Sequence, residues 1–175
     1  GWDWSPRIAT VGIMKGARIN CINRIAVRGS SLSVESVDSP VRIKATVEVE
    51  NLRHFVTIDA DVKVELFFNG EKATQAERTD LLLVSGINFV ELELEVADAK
   101  LWWPNGMGEQ PMYDVKITAE SGNTRSLSEY KFGIRTIELD TGRIDSENRR
   151  FRFLVNGKPV MCKGGDWIPA DAVYA

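Results

Sequence analysis

The most distinctive stretch of this 175-residue chain reads Leu101-Trp102-Trp103-Pro104-Asn105-Gly106-Met107-Gly108-Glu109-Gln110-Pro111-Met112-Tyr113. It holds two of the five tryptophans and two of the six prolines. Proline fixes φ and glycine supplies φ above zero, so two aromatic side chains beside both residue types require a defined backbone path. Large aromatic side chains in such a corner usually pack into a core or a domain interface, and we interpret Trp102 and Trp103 as structural.

Alternating apolar and polar residues flank this stretch on both sides. The clearest case is residues 41–50, where Val, Ile and Ala alternate with Arg, Lys, Thr and Glu. The same period of two occurs in residues 62–68, 90–96 and 113–119, and it is typical of strands with one face buried and the other in water. Asn69-Gly70 between two extended segments predicts a type I′ hairpin, because both central positions of that turn need φ above zero.

About seven short strands separated by turn signals follow from this pattern, and no stretch has a convincing helical period. The chain is therefore predicted to be all-β, an immunoglobulin-like β-sandwich with short flanking pieces of neighbouring domains. Residues 72–79 are expected to form a polar edge strand. Gly29-Ser30-Ser31 is expected to be a loop, and Asp38-Ser39-Pro40 marks a domain boundary.

Composition argues against several classes of function. A net charge of −3 and a pI near 5.3 argue against a nucleic-acid partner, because proteins that bind nucleic acid usually carry a basic surface stripe. No apolar run approaches the ~20 residues of a membrane helix, so no membrane partner is expected. The only histidine is His54, which removes Ser-His-Asp, Cys-His and His-rich metal sites as practical options. We expect His54 in an exposed loop and no cofactor or metal site.

The two cysteines and the N-terminus say less about function. Cys21 and Cys162 lie far apart and have no metal-type spacing; a disulfide and two buried free thiols both fit, and free thiols are the simpler interpretation. The sequence begins Gly1-Trp2-Asp3 with no initiator Met and no visible signal peptide. We therefore expect an excised part of a longer chain.

Few of the twenty-five acidic residues stand out as candidates for chemistry. Glu91, Glu93 and Glu95 share one strand face, so we expect a solvated surface rather than an acid-base pair. Asp3 lies between two tryptophans, an arrangement that grips sugar hydroxyls and ring faces; from composition alone, a turn-capping Asp beside core tryptophans is the simpler alternative. Gly164-Gly165-Asp166-Trp167 fits a ligand-lining turn and a purely structural strand-to-helix turn equally well.

Five motifs occur in a fixed order along the chain. They are Trp2-Asp3-Trp4-Ser5-Pro6, Leu101-Trp102-Trp103-Pro104 with Gln110-Pro111-Met112-Tyr113, Phe132-Gly133-Ile134-Arg135, Phe153-Leu154-Val155-Asn156-Gly157-Lys158-Pro159-Val160, and Lys163-Gly164-Gly165-Asp166-Trp167-Ile168-Pro169-Ala170-Asp171. In this order they resemble the glycoside hydrolase family 2 enzymes, and most closely their β-mannosidase branch. Ser5 and Asp166 depart from that pattern, where Gly and Asn are more usual.

The resemblance implies a division into three parts. Residues 1–37 would be the C-terminal end of a jelly-roll sugar-binding domain, residues 38–139 the immunoglobulin-like domain, and residues 140–175 the start of a (β/α)8 catalytic barrel. The parent enzyme would hydrolyse terminal β-mannosides with retention, in carbohydrate catabolism. The family's catalytic glutamates lie on later barrel strands, one of them following an Asn, and this chain has no Asn-Glu dipeptide. We therefore assign no catalytic residue and expect the fragment alone to be inactive.

The resemblance also supplies candidate substrate-binding residues, namely Asp3, Trp4, Asp166 and Trp167. Asp3 would reach a hydroxyl of the terminal sugar, Trp4 would line the same pocket, and the other two would follow the first barrel strand. The partners would be a β-mannoside or related oligosaccharide and the other domains of the parent chain. The alternative is a free-standing immunoglobulin-like carbohydrate-binding or adhesion module. Residues 164–175 argue against it, since they begin a strand-turn-helix pattern and stop.

Overall fold

The computed structural model describes residues 11–13, 15–17 and 19–166. The chain divides into two compact units, Ile22–Met161 and a second one formed by Gly1–Cys21 with Cys162–Ala175. All regular structure in the described residues is β-strand and lies in the unit Ile22–Met161. In the described residues of the other unit the backbone is irregular.

Seven long strands form two antiparallel sheets. The sheets have the orders β1-β2-β5 and β4-β3-β6-β7. The strands are β1 (Ile25–Ser36), β2 (Val41–Asn51), β3 (Ile58–Phe68), β4 (Glu71–Leu83), β5 (Gly86–Val96), β6 (Tyr113–Ser121) and β7 (Thr124–Phe132). The prediction of an all-β, immunoglobulin-like sandwich of about seven strands is confirmed.

The core consists of the inward-facing residues of these alternating strands. In β2, five apolar side chains are at most 2% exposed while their neighbours are partly or fully exposed; they are Val41, Ile43, Ala45, Val47 and Val49. They meet the inward residues of β3 and β6, among them Val64 and Ile117. Burying each Val or Ile side chain contributes about 1.5–3 kcal/mol, which makes this face the main source of stability.

The Asn-Gly turns have the backbone geometry that the sequence predicts. Asn69 has a φ of 51° and Gly70 a φ of 84°, and they join β3 to β4. β4 lies at the edge of its sheet, as predicted. It begins at Glu71 and continues past residue 79 to Leu83.

The first strand differs from the prediction. Gly29-Ser30-Ser31 lies inside β1 and pairs with β2, so the predicted loop is wrong. A β-bulge between Val27 and Gly29 absorbs one residue and lets the strand continue. β1 includes residues that were expected to close the preceding domain, and its pairing with β2 places them in the sandwich. Side chains also tie β1 to β7, through Ser30 Oγ and Tyr130 Oη at 2.9 Å.

A third, smaller sheet follows the sandwich. It has the order β10-β9-β8 and consists of β8 (Ile137–Asp140), β9 (Arg152–Val155) and β10 (Lys158–Val160). Its β9–β10 turn is the second predicted Asn-Gly hairpin, with a φ of 49° at Asn156 and 74° at Gly157. The partner strand β8 was not predicted.

Two expectations about single residues have opposite outcomes. His54 is exposed in the loop between β2 and β3, as predicted. Cys21 and Cys162 are free thiols, but both are exposed, so the prediction of burial is wrong. Both lie in irregular segments outside the sandwich core. Among the described residues, no helix has the length and hydropathy needed to span a membrane.

Candidate functional site

The four residues predicted to touch a sugar fall mostly outside the described part of the chain. Asp3, Trp4 and Trp167 are among residues that the structure does not describe. Asp166 is described, and it is exposed in the irregular segment that follows β10. Three of the four residues thus lie outside the described part of the chain, and the assignment of all four stays a prediction.

The carboxylates along β5 form a charged outer surface. Glu91, Glu93 and Glu95 are exposed and alternate with buried apolar residues, which confirms the predicted solvated face. Lys44 Nζ forms an ion pair with Glu91 Oε1 on the neighbouring strand, at 2.8 Å. Its hydrogen bond to Glu91 raises the pKa of Lys44. Surface pairs of this kind contribute little to stability. Within the described residues, no group of three or more His, Cys, Asp or Glu side chains could hold a metal ion.

The best-defined polar and aromatic cluster is the Trp-Pro corner, the segment Leu101–Tyr113 between β5 and β6. Its backbone follows a fixed path. The amide of Met107 donates to Pro104 O at 2.9 Å, and Gly106 between them has a φ of 82°, a position that glycine occupies without strain. The amide of Trp103 donates to Glu109 O at 2.9 Å, which closes a larger loop.

Three further hydrogen bonds hold the corner in place. The Gln110 side-chain amide donates to Gly108 O at 2.7 Å and to Trp103 O at 3.0 Å. The amide of Lys100, which precedes the corner, donates to Tyr113 Oη at its end at 2.8 Å. Since Tyr113 is buried and begins β6, this bond attaches the corner to the sandwich core.

The two tryptophan rings pack against glycines and lie beneath cations. The Trp102 ring lies so close to Gly133 that an added Cβ would come within 2.8 Å of its Cγ. The guanidinium of Arg135 lies 4.7 Å from the Trp102 ring centroid, and Lys158 Nζ lies 5.2 Å from the Trp103 ring. Both distances suit a cation–π contact. The corner therefore packs as the sequence predicts, with structural tryptophans.

Asn156 connects the third sheet to this corner. Its side-chain amide donates to Trp102 O at 3.0 Å, and its Oδ1 accepts from the amide of Thr136 at 3.0 Å. The amide of Asn156 in turn donates to Thr136 O at 3.1 Å. One side chain thus satisfies backbone groups of the corner and of the segment that leads into β8.

The residues that complete this junction were not all found from the sequence. Gly133 and Arg135 belong to the Phe-Gly-Ile-Arg motif, yet nothing in the motif shows that they enclose Trp102. Asn156 was read as a turn residue only. Its second role rests on a contact across 54 positions of sequence, which no local pattern reports.

An ion cluster lies at the far end of the third sheet. Asp140 Oδ2 lies 2.9 Å from Arg150 Nε and 2.9 Å from Arg152 Nε, and its Oδ1 accepts from the Gly142 amide at 2.9 Å. The Gly142 amide, then Arg152 and Arg150, hold the pKa of Asp140 below its ordinary value. This arrangement fixes the loop between β8 and β9.

Comparison with known proteins assigns the sandwich to a family model. The model describes glycosyl hydrolases family 2 and matches residues 26–135, more than half of the chain. Beta-mannosidase B of Emericella nidulans is 31% identical over 175 residues, covering 99% of this chain and 20% of that protein. Beta-mannosidase B of Aspergillus fumigatus is 32% identical over 174 residues, with 98% and 20% covered.

Solved structures agree with the sequence relatives. A β-D-mannosidase from Dictyoglomus thermophilum superposes with a TM-score of 0.80 at 31% identity, covering 98% of this chain and 21% of that one. An exo-chitosanase from Amycolatopsis orientalis has a TM-score of 0.63 at 24% identity over 85% of this chain and 17% of that one, which shows the fold alone. The chain spans about a fifth of the length of these proteins.

Proposed function

Because the chain belongs to glycosyl hydrolases family 2, we propose that it forms the β-sandwich region of an enzyme that hydrolyses terminal β-mannosides with retention of configuration. Most of such an enzyme lies outside these 175 residues, given the fifth of its relatives that the chain spans. The family's reaction uses two carboxylic acids on either side of the glycosidic bond. Both catalytic carboxylic acids would lie on barrel strands beyond residue 175, and neither would be in these 175 residues.

The observation that supports this substrate class is the extent of the similarity. Proteins named as β-mannosidases match nearly the whole chain at about 31% identity, including the segments outside the family model. A match confined to the sandwich would support only the fold, because one fold serves many functions.

The role of the sandwich would be to hold the preceding jelly-roll domain and the catalytic barrel in a fixed relative orientation. The Trp-Pro corner and Asn156 supply a rigid connection between the sandwich and the third sheet, built from a 3.0 Å hydrogen bond and packed tryptophan rings. Residues 140–175 would lead from there into the catalytic barrel, and the chain ahead of Ile25 would belong to the preceding jelly-roll domain. Fixed placement matters because small displacements of substrate-binding groups cost much of the rate.

The proposed sugar contacts are Asp3, Trp4, Asp166 and Trp167. A carboxylate accepts hydrogen bonds from sugar hydroxyls, and an indole face packs against the apolar side of a pyranose ring. Asp3 and Trp4 would approach from the preceding domain, and Asp166 and Trp167 from the barrel face where such enzymes bind substrate. The substrate would be the terminal β-mannosyl residue of an oligosaccharide.

Substitution in the whole protein tests these contacts. Asp3→Asn and Asp166→Asn should each lower kcat/KM for an aryl β-mannoside about tenfold to a hundredfold, since a lost hydrogen bond to a charged group costs about 1.5–3 kcal/mol. Asp114→Asn is the matched control, because Asp114 is an exposed carboxylate on β6 that pairs with Lys131. Values of kcat/KM equal to that of the control would remove both residues from the sugar site.

A further inference from the structure

Two hairpin turns have the same sequence and nearly the same backbone geometry. Asn69-Gly70 and Asn156-Gly157 each form the whole loop of a two-residue hairpin. Their φ values are 51° and 84° in the first turn and 49° and 74° in the second. The remaining Asn-Gly, at 105–106, lies in a turn of another kind, which a hydrogen bond from the Met107 amide closes. The first two dipeptides thus form a matched pair.

An asparagine followed by glycine is open to attack by its own backbone. The glycine nitrogen adds to the asparagine Cγ and forms a C–N bond, while its amide proton is lost and the side-chain nitrogen leaves as ammonia. Water then opens the resulting cyclic imide at either carbonyl, which leaves aspartate or isoaspartate. Glycine favours this reaction because it has no Cβ and permits wide changes in φ and ψ. The reaction needs water and no other reagent.

Asn69 is placed where this reaction can proceed. It is exposed at the tip of the hairpin that joins β3 to the edge strand β4. Among the residues that the structure describes, its side chain has no hydrogen-bond partner, so only torsional preference keeps its Cγ from the Gly70 nitrogen. The space around the glycines does not distinguish the two turns, since an added Cβ at Gly70 or at Gly157 would meet no atom within 4 Å.

Asn156 differs because both ends of its side-chain amide are held. Its Nδ2 donates to Trp102 O at 3.0 Å, and its Oδ1 accepts from the Thr136 amide at 3.0 Å. Attack by the Gly157 nitrogen requires the side chain to rotate, and that rotation breaks both hydrogen bonds. Two bonds of ordinary strength lower the fraction of molecules that can react by about tenfold or more.

We propose that Asn69 is a site of spontaneous deamidation and that the junction shields Asn156, in the matching turn, from the same reaction. Aspartate or isoaspartate at position 156 has no amide to donate to Trp102 O, so deamidation there would weaken the link between the third sheet and the Trp-Pro corner. At position 69 the same reaction adds a negative charge to an exposed turn. The shielded asparagine is therefore the one whose loss would cost the fold more.

Peptide mapping of the whole protein by mass spectrometry tests the proposal. The protein is kept at mildly alkaline pH, and the mass gain from replacing NH2 with OH is followed over time at Asn69 and Asn156. In the folded protein, Asn69 should deamidate at least about tenfold faster than Asn156. In urea, where the junction is lost, the two rates should agree within about twofold because glycine follows both residues.

Gly133→Ala tests whether the junction causes the difference. The added Cβ would lie 2.8 Å from Trp102 Cγ, so the ring has to move. The deamidation rate of Asn156 should then rise toward its value in urea, while that of Asn69 stays unchanged.

Gly29→Ala is the matched control. Its added Cβ would meet only the flexible side chain of Glu48, and it should change neither rate. Equal rates at Asn69 and Asn156 in the folded protein would overturn the proposal, as would an Asn69 that does not react. An Asn156 rate that Gly133→Ala leaves unchanged would overturn the role of the junction. If that variant does not fold, the comparison of folded and urea-treated unaltered protein decides.

Discussion

Two asparagines show how the same dipeptide takes different roles. Asn69 and Asn156 each begin an Asn-Gly hairpin turn, with φ values of 51° and 49°. In the described part of the chain, the side chain of Asn69 makes no hydrogen bond, whereas that of Asn156 spans Thr136 and Trp102. Local backbone preference explains both turns, and tertiary contact explains the second role of Asn156.

Replacing both asparagines with aspartate separates these roles. Asn156→Asp keeps the shape and the turn preference but places a carboxylate oxygen against Trp102 O, where an amide donor was 3.0 Å away. It should lower the free energy of unfolding by about 1–3 kcal/mol, the cost of leaving such a group unsatisfied. Asn69→Asp should change it by no more than about 0.5 kcal/mol, as at other exposed sites. Urea unfolding of the two variants decides, and equal effects would refute the bridging role.

Among the secondary-structure elements, the sandwich strands are stabilised by burial of their alternating apolar residues, whereas the third sheet is also held by charged side chains. Its strands have three or four residues each, too short to be stable alone. Asp140, at the end of β8, accepts a hydrogen bond from the Gly142 amide and lies 2.9 Å from the guanidinium nitrogens of Arg150 and Arg152. These contacts fix the β8–β9 loop where apolar packing is limited.

The pKa of Asp140 predicts how this loop responds to acid. The Gly142 amide and the two arginines lower this pKa, so the ionised carboxylate favours the folded loop. The contribution is complete above the unfolded pKa of about 3.9 and is lost as the pH falls through the folded value. Hydrogen exchange of the Gly142 amide should therefore be slow, once corrected for intrinsic rate, above that pH and faster below it.

Variants identify the group responsible for this pH dependence. Asp140→Asn should speed exchange of the Gly142 amide at neutral pH and remove its response to acid. Glu138→Gln, which removes another carboxylate of β8, should leave the response in place. A response that survives Asp140→Asn would show that a different group controls the loop.

For the whole molecule, the features that the sequence predicts are those with a local signature. Alternation locates β2, β3, β5 and β6, and Asn-Gly locates two turns, because one face must be buried and two residues need φ above zero. The continuation of β1 through Gly29 was missed, since glycine and serine resemble a loop and the bulge is visible only against its partner strand. The thiols of Cys21 and Cys162 were expected to be free and buried; they are free, but they are exposed and lie outside the strands.

The junction between the Trp-Pro corner and the third sheet depends on contacts between distant residues. Trp102 was correctly expected to be structural, yet its neighbours Gly133, Arg135 and Asn156 come from two later segments. Phe55 follows a polar loop pattern, and its exposure and positive φ appear only in three dimensions. The sugar-contact residues rest on family resemblance, because a site built from several domains has no pattern within one of them.

The most direct test of the central claim is the substrate preference of the whole protein. Its kcat/KM should be measured with aryl β-mannoside, aryl β-glucuronide and aryl β-galactoside under identical conditions. We expect a clear preference for the mannoside, and loss of hydrolysis when a glutamate that follows an asparagine beyond residue 175 becomes glutamine. Preference for either other glycoside would contradict the β-mannosidase assignment while leaving the family in place. If the whole protein hydrolyses none of the three glycosides, the proposal that it is a glycosidase is wrong.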